Sequence, residues 1–180
     1  QYIKLEPLTL EDTLQLVRER LGVNNLPEPV ITLIKERAEG QPFFSQELAY
    51  ALRDSGFIRI EGQTCVLSPE AGDLREVNLP NTVQGAVTRR IDRLAASQQL
   101  TLKVASVVGR VFQFRVVRDI HPVESNRSRL VEDLNTLEAL DLTPLESVEP
   151  ELAYIFKHLI TQQVAYNLML FAQRRELHRA

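Results

Sequence analysis

Histidine, cysteine and glycine-lysine arrangements are the residues most able to do chemistry, and their spacing sets what this chain can catalyse. The three histidines, His121, His158 and His178, lie far apart, and none sits in an H-E-x-x-H or C-x-x-C context. A transition-metal centre needs several such donors converging, so no metal site is expected. Cys65 is the single cysteine. A thiol becomes a nucleophile when a base or a cation lowers its pKa, and Cys65 falls in an expected strand beside Val66 with no histidine paired to it in sequence. It reads as a small core or edge residue. None of the seven glycines precedes a lysine, so G-x-x-x-x-G-K-[ST] is absent, and G-x-G occurs nowhere. These residues cannot cradle a triphosphate by themselves, and no enzymatic constellation is expected among them.

Composition narrows the field further. The 180 residues are 44% apolar and 25% charged, an ordinary balance for one globular domain or two small ones. The net charge of -3 provides no whole-chain positive field to attract nucleic acid or anionic lipid. A lone cysteine rules out an internal disulfide framework, which fits a reducing, cytoplasmic setting. No apolar run approaches the roughly 20 residues of a membrane span, so no membrane partner is expected. The chain starts at Gln1 rather than Met, and its end falls inside an expected helix, so it is read as a piece of a longer protein.

The elements that would position any site are mainly helical. Thr9 is a good N-cap, and Leu10, Leu14, Val17 and Leu21 recur at helical spacing up to Gly22. Val30, Ile31, Ile34 and Ala38 predict a second helix closing at Gly40, and Pro42 opens a third that ends at Gly56. Phe57 to Ile60 and Thr64 to Leu67 predict a small hairpin, followed by a loop from Ser68 to Asn78. A helix from about Thr82 carries Val83, Val87, Ile91 and Leu94 on one face and Arg89, Arg90, Asp92 and Arg93 on the other. From Ser97 the order changes to three helices, the last from about Ser125 to Leu140. Strands at Thr143 to Val148 and Glu151 to Phe156 come next, then a helix bearing Ile160, Val164, Leu168 and Phe171. The expected fold is a helical bundle with a small β-hairpin followed by a winged helix.

A winged helix invites a DNA-binding reading, as in a transcription regulator. From Ser125 to Asp141, however, Arg127 and Arg129 face Glu132, Asp133, Glu138 and Asp141, a net of -2 on the presumed recognition helix. Phosphate repulsion makes that the wrong sign, and only the two arginines at the helix start keep DNA in view. A plain protein-interaction module is the other alternative.

Several segments in fixed order resemble STAND-type AAA ATPases, the signalling ATPases with many attached domains. They are Glu39-Gly40-Gln41-Pro42-Phe43-Phe44-Ser45-Gln46-Glu47-Leu48, Leu79-Pro80-Asn81-Thr82-Val83 with Arg90-Ile91-Asp92-Arg93-Leu94, Val108-Gly109-Arg110-Val111-Phe112, and Tyr154-Ile155-Phe156-Lys157-His158-Leu159-Ile160. The stretch from Val164-Ala165-Tyr166 to His178 looks like the variety found downstream of adenylate or guanylate cyclase domains. The resemblance implies a helical lid with hairpin at 1–80, a linking helix at 81–96, a winged helix at 97–170 and the start of a following helical segment at 171–180. It implies ATP or ADP, with Mg, held by an upstream P-loop core, helical repeats downstream, and a parent ATPase that admits a cyclase as output domain. Gly40 and Pro42 match the family's G-x-P motif, whose proline packs against adenine, and His158 matches a histidine that reaches the β-phosphate of ADP. Related proteins often carry Asp after that histidine, where this chain has Leu159.

Overall fold

A computed structural model describes residues 4–74 and 79–180, and the end of the predicted 68–78 loop lies outside the described residues. The chain divides into two units, one ending at Ala86 and the other running from Val87 to Ala180.

The first unit contains α1 (Leu10–Leu21), α2 (Glu28–Ala38), α3 (Pro42–Asp54), β1 (Ile58–Glu61) and β2 (Thr64–Leu67). The Thr9 hydroxyl accepts the Asp12 N–H at 3.2 Å to cap α1, and Gly22 closes that helix at φ 69. The apolar stripes converge on a core that includes Val17, Val30, Ile34, Leu48, Leu52 and Ile58. Burying each such side chain is worth about 1.5–3 kcal/mol, far more than helix propensity supplies. β1 and β2 pair antiparallel with Ile58 opposite Leu67 and Glu61 opposite Thr64. The hairpin is tied to the α1–α2 loop, where Asn24 N–H donates to the Gln63 carbonyl at 2.8 Å and Asn25 Oδ1 accepts the Cys65 N–H at 3.2 Å.

Helix α4 (Val83–Asp92) begins with the Thr82 hydroxyl accepting the Gly85 N–H at 3.1 Å, and the division between the units falls inside it.

The second unit contains α5 (Ala96–Val108), β3 (Val111–Gln113), α6 (Phe114–Ile120), α7 (Glu124–Arg127), α8 (Leu130–Ala139), β4 (Leu145–Ser147), β5 (Ala153–Ile155), α9 (Leu159–Asn167) and α10 (Phe171–Leu177). The antiparallel sheet has the order β3-β5-β4, and α5 packs on α6, α8 and α9. Helix, strand, helix, helix and β-wing is the winged-helix order. Its core holds Leu102, Phe112, Leu130, Leu134, Leu137 and Phe156, with Phe112 5.9 Å from the Tyr154 ring centre and 5.5 Å from that of Phe156.

Three local expectations are corrected. The single helix expected from Ser125 to Leu140 is broken at Ser128–Arg129, where the Ser128 hydroxyl donates to the Ser125 carbonyl at 3.0 Å and competes with the helical ladder. The last apolar stripe does not continue through Leu168 to Phe171. Helix α9 stops at Asn167, Met169 is buried instead, and Phe171 is 78% exposed. The Arg174 guanidinium makes that break affordable by donating to the Met169 carbonyl at 2.9 and 3.0 Å and to the Asn167 carbonyl at 3.2 Å. Finally, β3 is a strand where none was expected.

Candidate functional site

The turn between α2 and α3 explains both residues of the Gly40-Gln41-Pro42 segment. Helix α2 unwinds through Glu39 at φ 49 and Gly40 at φ 74, two successive left-handed residues. The Gly40 carbonyl then accepts the Leu8 N–H at 2.9 Å, so the segment preceding α1 lies directly against the turn. A Cβ at position 40 would stand 2.4 Å from the Leu8 oxygen, which disfavours any side chain there on contact grounds as well as on φ. Pro42 occupies the first position of α3, where a missing N–H costs no hydrogen bond, and it is exposed. Beneath it the Ser45 hydroxyl donates to the Gln41 carbonyl at 2.8 Å, while Phe44 and Leu48 are buried. The outcome is a rigid, outward-facing apolar ring, suited to stacking on a flat apolar partner.

His158 belongs to the second unit, as the residue preceding α9, with φ -122 and ψ 132. It is half-buried, its carbonyl accepts the Thr161 N–H at 3.0 Å, and no side chain caps the helix among the described residues. The neighbouring Lys157 ammonium is paired with Asp141. With the Lys157 charge taken up by Asp141, it is the helix start and the neighbouring imidazole that form a setting favouring an anion.

The surface a DNA-binding winged helix would use is acidic. Helix α8 exposes Val131, Glu132, Asn135 and Glu138, and the β4–β5 wing exposes Glu146, Glu149 and Glu151. Both arginines of the presumed recognition segment are engaged within the protein. Arg127 donates to the His121 carbonyl at 3.0 and 3.2 Å and to the Asp119 carbonyl at 3.4 Å, and Arg129 pairs with Glu132 at 3.6 Å. Arg90 donates to the Leu140 carbonyl at the end of α8.

Two further polar groups become visible only in the fold. Asp133 is buried and accepts hydrogen bonds from Ser97 Oγ at 3.0 Å and Thr101 Oγ1 at 3.2 Å, joining α8 to α5. His121 is fully buried, and its desolvation pushes the imidazole pKa below the ordinary histidine value. Cys65 lies buried in β2, where burial pushes its thiol up and away from the reactive thiolate. Among the described residues no group of three or more His, Cys, Asp or Glu could hold a metal ion, and no helix is long and apolar enough to cross a membrane.

A family model described as "Domain of unknown function (DUF8739)" matches residues 9–66, the span from the α1 N-cap into β2. That description names no activity. No curated protein matches the chain.

Proposed function

We propose that this chain is a regulatory, non-catalytic portion of a multidomain STAND-type ATPase, downstream of an adenylate or guanylate cyclase domain. In this reading an upstream P-loop core holds ATP or ADP, and the helical lid and winged helix close over it and relay its state to attached domains. The chain lacks a phosphate loop of its own, so it would supply flanking contacts only.

The observation that carries this reading is the presentation of Pro42. The ring is exposed at the first position of α3, on a turn held by the Leu8–Gly40 hydrogen bond, as a residue that stacks on a base must be. The winged-helix order of the second unit and the place of His158 at the start of α9 support it as well. A ligand shifts a conformational equilibrium only through contacts that differ between states, and Pro42 and His158 are the contacts assigned here.

The test is ADP titration of the parent chain containing the P-loop core. Replacing His158→Ala is expected to weaken ADP about tenfold, the equivalent of one hydrogen bond to a charged group, and Pro42→Ala about threefold. Affinities unchanged within about twofold for both variants would refute the reading.

A further inference from the structure

The second unit contains a cleft of about 550 Å³ that involves none of Gly40, Pro42 or His158. The volume falls in the range of sites that hold small organic molecules. Leu100, Ile120, Met169 and Leu177 supply apolar lining, and Lys103 brings a cation to it.

His121 also lines this cleft, is fully buried, and has no hydrogen-bond partner at Nε2 among the described residues. Its other nitrogen is satisfied locally, since Nδ1 lies 3.3 Å from the Val123 N–H and 3.1 Å from the Val123 carbonyl. Either tautomer therefore leaves Nε2 unpaired, a costly condition for a buried polar atom and an uncommon one in folded proteins.

The charges around the cleft are unequal in their engagement. Asp119 is paired with Arg118 at 2.9 Å and Arg115 at 3.8 Å, while the Arg127 guanidinium is held on backbone carbonyls. Lys103 forms no ion pair among the described residues, and neither does Glu176, an exposed carboxylate of the same lining. A lining that mixes apolar and polar side chains, with an ammonium in no ion pair and a buried imidazole nitrogen in no hydrogen bond, calls for a ligand with a hydrocarbon body and an anionic end.

We infer that this cleft binds an apolar monocarboxylate, its hydrocarbon against Leu100, Ile120, Met169 and Leu177 and its carboxylate on Lys103, a small opening of the lining bringing His121 Nε2–H, sealed from solvent in this structure, into reach of the same carboxylate. The matching tautomer is the one in which Nδ1 accepts the Val123 N–H. Because α10 buries no residue of its own and contributes Leu177 to the lining, occupancy would also steady that helix.

The test titrates the 180-residue chain with decanoate, decanol and decylamine below their aggregation concentrations, following the His121 imidazole ¹⁵N resonances. Saturable decanoate binding is expected, at least about tenfold tighter than decanol or decylamine, with a shift at Nε2 and slower amide exchange across α10. Lys103→Met, which keeps the aliphatic stem, should weaken decanoate about fivefold or more and leave decanol unchanged, and Lys103→Arg should restore binding. Equal binding of decanoate and decanol, an unmoved Nε2 resonance, or undiminished decanoate binding by Lys103→Met would each overturn the inference.

Discussion

Replacing Gly40→Ala tests the idea that close backbone approach, and not helix punctuation alone, shapes the turn that displays Pro42. An alanine at φ 74 incurs about 1–2 kcal/mol for the left-handed conformation. The added methyl would also stand 2.4 Å from the Leu8 oxygen and 3.0 Å from the Pro7 Cβ, so the 4–8 segment must move away. Moving it breaks the 2.9 Å Leu8–Gly40 hydrogen bond, worth about 1 kcal/mol. The sum is about 2–3 kcal/mol. Gly22 is the internal control, because it has φ 69 with nothing within 4 Å of an added Cβ, so Gly22→Ala carries the conformational cost alone. Urea unfolding should therefore show Gly40→Ala exceeding Gly22→Ala by about 1 kcal/mol, and the Leu8 amide should lose its protection from hydrogen exchange. In a chain lacking residues 1–8 the two costs should become equal. Equal costs in the intact chain, with Leu8 still protected, would refute the reasoning.

Asp133→Ala should cost about 2–4 kcal/mol in urea unfolding, because it leaves the buried Thr101 hydroxyl and the Ser97 hydroxyl without their acceptor; a cost below about 0.5 kcal/mol would show that the α5–α8 link is dispensable. His121 sets a pH dependence whose sign follows from its lowered folded pKa. Between that value and the ordinary value of about 6.5 the unfolded chain binds the extra proton, so stability is fully present above about pH 6.5 and falls as pH drops towards the folded value. The slope from this one group is at most about 1.4 kcal/mol per pH unit, and His121→Gln should flatten the urea midpoint between about pH 7.5 and 5; an unchanged profile in that variant would exclude His121 as its source.

Much of the architecture was legible in local signals. Thr9 three residues before Asp12, Gly22 after a helical stripe, Pro42 at a helix start and Gly62 between two β-prone runs each act through the backbone of their immediate neighbours, so type and spacing suffice to read them. Strand β3 escaped because three residues between Gly109 and a helix show no measurable alternation, and only pairing with β5 makes Val111–Gln113 a strand. The extra helix breaks escaped for a similar reason. Leu168 and Phe171 keep helical spacing, but it is Arg174 that satisfies the freed carbonyls and lets the chain turn.

The candidate site divides along the same line. The helix termini at Gly40, Pro42 and His158 were legible in the sequence, and the nucleotide contacts assigned to these residues are the proposal made above. Tertiary structure alone decided that Leu8 presses on Gly40, that Arg127 caps carbonyls instead of facing solvent for phosphate, and that His121 is a buried imidazole beside a cleft. The physical reason is range. Capping, turn formation and amphipathic periodicity involve groups a few residues apart, whereas burial, desolvation and backbone contact depend on which distant segments the core brings together.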